Sequence, residues 1–283
     1  MKEIKTNTFR REMMIKTILV PIGHDKGASE RLAYACSLAV QFDAHVKALH
    51  ILTPAADMFK SVPVESYSAA AFDQYEKDLQ GEADKYREKY EKQLNSAGVR
   101  YDWCQEQGDM LTFLNLHSRS ADLTILTQKG DTLDDIMSIM HDFVIESGLP
   151  VIVIPSNGAS AEHKNILVAW DGGQQCAKAV HDALPILQKA DKVTVLTIAE
   201  DDKRIIPEAD ICVKLARHGV NAEALTVSDS VTVGDRILDT ASSTDADLIV
   251  SGAWGHRRLR EIIFGGVTKT LLSNQVYTIY LSH

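Results

Sequence analysis

The chain is 283 residues long, with 45% hydrophobic and 24% charged residues, 16 glycines and 7 prolines. That length favours two compact domains with their own cores, and the composition excludes a fibrous or low-complexity chain. Thirty basic against 39 acidic residues give a net charge of −9, which argues against sequence-indifferent nucleic-acid binding, since that requires a basic face.

Residues 1–14, MKEIKTNTFRREMM, are charged and lack the apolar stretch of a signal peptide, so they read as an N-terminal extension. No apolar run reaches the roughly 18–20 residues of a membrane helix. Cys36, Cys104, Cys176 and Cys212 are scattered, without CxxC or metal-ligand spacing. Reduced thiols and a cytoplasmic location are the expectation.

From residue 15 onward the elements come in order. KTILVPIG (16–23) is a first strand, and SERLAYACSLAVQF (29–42) a helix with Leu32, Ala35, Cys36, Ala39 and Val40 on one face. AHVKALHIL (44–52) is a second strand, followed by a surface loop over 54–71 and a charged helix over 72–98. Its charges alternate in sign at i,i+4 spacing, as on a solvated helix face. ADLTILTQKG (121–130) and GLPVIVIPS (148–156) are strands four and five.

A second copy then repeats the pattern. KNILVAWD (164–171), DKVTVLTIA (191–199), ADLIVSGAWG (246–255) and NQVYTIYLS (274–282) match the four segments above in the same order. QQCAKAVHDALPILQK (174–189) is the counterpart of the first helix, with Ala177, Val180, His181 and Leu184 on one side. Two homologous domains are expected, at 15–155 and 163–283, joined by a small polar linker at 156–162. The apolar strands are continuous rather than alternating, which fits strands covered on both faces. Each copy should be a doubly wound α/β domain, a five-stranded parallel sheet with helices on both faces. Strand five of each copy, Val151–Pro155 and Tyr277–Leu281, should lie at a sheet edge. Two such edges in one chain can pair with each other; whether two chains also pair is left open.

Ligands of open α/β sheets sit beyond the carboxyl ends of the strands. After the fourth strand of the second copy come Gly252, Ala253, Trp254 and Gly255, then nine residues, then Gly265, Gly266, Val267 and Thr268 opening a helix. Glycines let backbone amides approach an anion, a helix N-terminus supplies unpaired N–H groups, and Thr268 adds a hydroxyl. Arg257, Arg258 and Arg260 are candidate phosphate clamps. The competing reading is tight-turn glycines and a solvated basic loop. Asp171, Gly172 and Gly173 end the first strand at the same edge. Asp171 could accept a hydrogen bond from a ribose hydroxyl or base amine, or cap the following helix.

These residues resemble the universal stress protein family in its tandem form. Nucleotide-binding members carry Gly, two residues, Gly, nine residues, Gly and Ser or Thr. Gly252, Gly255 and Gly265 match that spacing, Gly266 replaces the Ser/Thr, and Val267 and Thr268 continue the run. Asp171 matches the family's first-strand aspartate. The resemblance implies strand order 3-2-1-4-5, ATP or a related adenine nucleotide with Mg2+ as companion ion, and pairing of domains through their fifth strands. A cytoplasmic stress-response or regulatory protein with an unidentified protein partner follows from it.

The first copy departs from the motif. Gln128, Lys129, Gly130 and Asp131 keep only Gly130, and Asp131, Asp134 and Asp135 place carboxylates where phosphates would sit. Each close like-charge pair costs about 1 kcal/mol even in water. Its first strand ends Ile22-Gly23-His24-Asp25, so a carboxylate is present but displaced. One nucleotide per chain is expected. No GxSxG, P-loop or GxGxxG accompanies the strands, and His117 and His141 fall on helices. Two other readings stand beside nucleotide sensing: slow ATP hydrolysis, with Asp171 or His256 as base, and a ligand-free interaction module. His24 and His50, near strand ends of the first copy, are the remaining enzyme candidates.

Overall fold

The computed structural model describes residues 14–23, 25–54, 69–128, 140, 142–199, 208–228, 232–253 and 266–283. The first half runs β1 (Thr17–Ile22), helix Ala28–Phe42, β2 (His45–Leu52), helix Ala69–Ala97, β3 (Arg100–Gln107), helix Met110–Ser118, β4 (Leu123–Thr127) and β5 (Val151–Ile154). A helical stretch at 142–147 precedes β5. The second half runs β6 (Asn165–Ala169), helix Gln174–Asp182, a single turn Leu184–Leu187, β7 (Lys192–Ala199), helix Glu208–Arg217 and β8 (Ala222–Ser228). Helix Val233–Ser243, β9 (Leu248–Gly252), helix Gly266–Ser273 and β10 (Thr278–Ser282) complete it.

All ten strands form one sheet in the order β3-β2-β1-β4-β5-β10-β9-β6-β7-β8. Pairing is parallel within each half, in the order 3-2-1-4-5 that the resemblance implied. The fifth strands meet antiparallel, with Ile279 opposite Val153 and Tyr280 opposite Ile152. Every residue of β4, β5 and β10 is buried, which is why these segments read as unbroken Val/Ile/Leu runs. The outermost strands β3 and β8 instead alternate between half-buried and exposed positions. Their charged residues, among them Arg100, Asp102 and Glu223, leave a polar edge that resists further strand addition.

The apolar core is shared across the central pair. On one sheet face Ile18, Val46 and Ile152 from the first half join Ile166, Val193 and Tyr280 from the second. On the other, Leu19, Leu49 and Val153 join Leu167, Leu196 and Ile279.

Several expectations about faces need correction. In helix Ala28–Phe42 the buried stripe is Leu32, Ala35, Cys36, Leu38 and Ala39. Val40 is 65% exposed; one residue past Ala39, it is turned roughly 100° around the axis. The helix predicted over 174–189 stops at Asp182 and restarts at Leu184, because Pro185 has no N–H to continue the ladder. Its buried residues are Cys176, Ala179 and Val180, then Ala183 through Leu187, while His181 faces solvent and Ala177 is only half-buried. The charged helix spans Ala69–Ala97 and buries little beyond Ala83, Tyr90 and Leu94. Of the loop expected over 54–71, residues 55–68 lie outside the described residues, as do 1–13 of the N-terminal extension.

The polar segment 156–162 is mostly exposed but is anchored at Ala161 and Gly158. Ala161 is buried, and its carbonyl accepts a 2.9 Å hydrogen bond from Gln41 Nε2. Gly158 sits at φ +87° against Glu30. Beyond it, Tyr34 Oη lies 2.6 Å from His163 Nε2, and His163 Nδ1 lies 3.4 Å from Asp247 Oδ1. Nδ1 of the ring thus faces the acceptor-only carboxylate, and Nε2 faces the Tyr34 hydroxyl. Asp247 also accepts the Lys164 and Asn165 amides at 2.7 and 3.1 Å. Burial pushes the Asp247 carboxyl up, but the His163 and backbone hydrogen bonds outweigh it and hold its pKa below 3.8. A second cluster bridges the halves where Lys178 Nζ donates to Gly148 O, Asp182 Oδ2 and Ser282 Oγ at 2.9, 2.6 and 2.9 Å.

Candidate functional site

Because β9 and β10 are parallel neighbours, the helix connecting them runs against the strands and its amino end lies at the carboxyl edge of the sheet. That places Gly266, Val267 and Thr268 on the edge where β6 ends at Ala169 and the chain continues through Trp170 to Asp171. Thr268 is buried, Val267 half-buried and Gly266 exposed. A Cβ on Gly266 would meet no described residue within 4 Å. Asp171 is exposed, and its Oδ1 accepts the Gly173 amide at 2.8 Å. This is a local Asx-turn bond rather than a helix cap: the N-cap of helix Gln174–Asp182 is Gly173, with no side-chain cap hydrogen bond, so the expected capping role of Asp171 does not hold. Gly172 lies at φ +71°, the left-handed region that favours glycine.

Gly252 has a separate reason to be glycine. A Cβ there would stand 2.5 Å from Cys176 N, 2.8 Å from Gln175 C and 3.0 Å from Cys176 Cα. The first turn of helix Gln174–Asp182 thus presses directly on the end of β9. Gly255 and Gly265, with Trp254, His256, Arg257, Arg258 and Arg260, lie outside the described residues.

The corresponding edge of the first half is filled from within. Pairing of Ile18 with Leu123 and of Ile166 with Leu248 superposes the two halves in register, so Thr127 occupies the place of Gly252 and Pro21 that of Ala169. Asp25 Oδ1 accepts the Gly27 amide at 3.1 Å, two residues on and directly before a helix, as Asp171 does with Gly173. The carboxylate that looked displaced along the strand thus keeps its place relative to the helix. The N-cap glycines themselves differ, Gly27 being helical and Gly173 extended.

Asp25 meets Arg31 as a two-pronged pair, Nη1 to Oδ1 at 3.1 Å and Nη2 to Oδ2 at 2.9 Å. Arg31 Nε donates to Pro21 O at 2.9 Å and Nη1 to Thr127 Oγ1 at 2.8 Å. The guanidinium side chain is only 7% exposed. Burial pushes the Asp25 carboxyl up, but the Arg31 hydrogen bonds and charge, with the Gly27 amide, outweigh it and hold its pKa below 3.8. Reading the sequence missed this pairing. Its signals were an arginine inside an otherwise apolar helix face and the shared Asp-x-Gly before each helix.

The histidine candidates separate clearly. His50 is fully buried, its Nδ1 donates to Ile22 O at 2.8 Å, and its ring stacks on Tyr86 at 5.7 Å. It belongs to the core. His117 Nε2 pairs with Glu106 at 2.9 Å. His24, His141, Lys129, Gly130, Asp131, Asp134 and Asp135 lie outside the described residues. Cys36 and Cys176 are buried, which pushes their thiols up to about 11 and about 12, and none of the four cysteines forms a disulfide. Among the described residues no cluster of three acidic, His or Cys side chains could hold a metal ion, and no helix is long and apolar enough to cross a membrane.

A profile of the universal stress protein family matches residues 14–155 and 207–275. A universal stress protein from Archaeoglobus fulgidus DSM 4304 has a similar fold, with TM-score 0.75 and 13% identity over 95% of this chain and 97% of that one. A functionally unknown protein from Pseudomonas aeruginosa PAO1 is similar at TM-score 0.57 and 16% identity, over 95% and 93%. None of the curated proteins matches the chain.

Proposed function

The chain belongs to the universal stress protein family, as two α/β copies in one sheet, and from that premise we propose that its second domain (163–283) binds ATP or a related adenine nucleotide. One observation carries the reading. An exposed Asp171, a left-handed Gly172 and a helix opening at Gly266, whose Cβ position no described residue fills, share one sheet edge. That donor set suits an adenine nucleotide. Amides at Gly266 and Val267 and the Thr268 hydroxyl would face phosphate oxygens, helped by the positive end of the helix dipole. Asp171, acceptor-only when ionised, would take a ribose hydroxyl or a base amine. Gly255 and Gly265 would complete the loop around the phosphates by sequence spacing.

The first domain (15–155) has its counterpart carboxylate occupied by Arg31, so one nucleotide per chain is the consequence. The role is sensing: binding orders the amides of one edge and alters the surface offered to a cytoplasmic protein partner. Mass spectrometry of small molecules released from the purified protein, followed by calorimetry with ATP, tests this. An adenine nucleotide should be recovered or bound, and Asp171→Ala should weaken the affinity about tenfold, as expected for one lost charge-assisted hydrogen bond. A wild-type protein without affinity for any adenine nucleotide would overturn the reading.

A further inference from the structure

We infer that Gly234, in the helix that precedes β9, is a positioning residue for the phosphate end of the second-domain site: only glycine there lets helix Val233–Ser243 close on Thr270 and set the amino end of helix Gly266–Ser273. This rests on the nucleotide reading above and adds a residue outside the glycine motif.

Both helices lead into strands of the same parallel half, so both start at the carboxyl edge of the sheet. They cover the same sheet face, where Ile237 and Ala241 of one join Leu271 and Leu272 of the other. Gly234 is the second residue of its helix and is buried. Glycine within a helix is less stable than alanine, and Gly234 does not have a positive φ that would call for it. The contact does. A Cβ at 234 would stand 2.7 Å from Thr270 Cβ, 2.8 Å from Cγ2 and 2.9 Å from Oγ1, which is the whole of that side chain. Thr270 cannot yield as a long flexible side chain would. It branches at Cβ, and its Oγ1 is held by donating to Gly266 O at 2.9 Å.

Thr270 thereby joins Gly234 to the first residue of the phosphate-facing helix. The far end of that helix is fixed, since Leu271 and Leu272 are buried. Its amino end is freer, with Gly266 exposed and Val267 half-buried. An atom added at 234 pushes on Thr270, and the helix tilts about Leu271 and Leu272, which moves the amides of Gly266 and Val267. Hydrogen bonds weaken steeply as length and angle depart from their optimum, so affinity for phosphate falls although the core stays intact.

The test compares ATP with adenosine, which lacks phosphate, by calorimetry on the full-length protein. Gly234→Ala should weaken ATP about tenfold, as for one charge-assisted hydrogen bond, and leave adenosine within about threefold of wild type. Thr270→Val keeps the shape but removes the hydroxyl that holds Gly266 O, and should weaken ATP about threefold by the same route. Ile237→Val loosens the same helix without adding an atom and should leave the ATP-to-adenosine ratio as in wild type. A folded Gly234→Ala protein with an unchanged ratio, or one that loses both ligands equally, overturns the inference. So does an Ile237→Val protein whose ratio changes as much. If Gly234→Ala does not fold, Thr270→Val takes its place, and an unchanged ratio there is the contrary result. A wild-type protein without affinity for ATP overturns the reading of the second domain instead. In that case, and where adenosine binds too weakly to compare, the amide signals of Gly266, Val267 and Thr268 in the unliganded protein decide. The variant should move them by NMR further than Ile237→Val does, and equal or smaller shifts refute the inference.

Discussion

Gly252 and Gly266 belong to one sequence motif, yet the structure gives them different reasons, and alanine substitution separates them. A methyl group at 252 would lie 2.5 to 3.0 Å from three backbone atoms of Gln175 and Cys176. Backbone in the first turn of a buried helix cannot move aside as a flexible side chain can, so the cost falls at the upper end of overpacking, about 3 kcal/mol. For a chain of this size that is a fall in melting temperature of about 6 °C. At 266 the methyl group meets no described residue within 4 Å, and removing glycine's unfolded-state freedom stabilises by up to about 0.5 kcal/mol, or about 1 °C. Differential scanning calorimetry of the two variants without nucleotide is the assay. Nucleotide affinity should then fall in Gly266→Ala despite its intact fold, because the methyl group enters the space proposed for phosphate. A Gly252→Ala protein that melts with wild type, or a Gly266→Ala protein that melts several degrees below it, would refute the packing argument.

Other outcomes follow from the same contacts. Tyr34→Phe removes the hydroxyl that faces buried His163 and should cost about 1–3 kcal/mol in chemical denaturation, the desolvation cost of an unsatisfied ring nitrogen. Asp25 and Asp247 have folded-state pKa values below 3.8, so their stabilisation is present above the unfolded-state value and lost as pH falls through the folded one. The denaturation midpoint should therefore hold from neutrality to about pH 4 and drop below it, less steeply in Asp247→Asn. Gly265→Val should abolish ATP binding in calorimetry without unfolding the protein, because a branched side chain blocks amide approach to phosphate.

Much of the fold was legible because buried parallel strands are unbroken apolar runs: TILVPI, LTILT and VIVI announce themselves. The repeat then supplied the second domain from the first. Helix faces were less legible. Val40 and His181 fit an apolar period by one residue's rotation, and only the position of the neighbouring strands decides which side of the stripe is covered. The edge strands β3 and β8 are polar alternations that carry weak signals of their own.

At the site, the glycine spacing was visible, but its two causes were not. Gly252 answers to helix–strand contact, which no local pattern records. The Arg31 fork joins residues from β1, the following loop, a helix and β4, and only the folded sheet brings Thr127 to a side chain 96 positions earlier. The sequence argument for a silent first domain used the carboxylates Asp131, Asp134 and Asp135. Within the described residues the same conclusion is supported by an arginine instead.

The central claim is that one of two homologous edges binds nucleotide, and its most direct test is stoichiometry. Equilibrium titration of the purified full-length chain with ATP, under conditions where protein concentration exceeds the dissociation constant, should give one nucleotide per chain. Asp171→Ala should lower that affinity, and Asp25→Ala should leave it as in wild type. Two equivalents per chain, or one equivalent that is lost with Asp25 and kept without Asp171, would contradict the account.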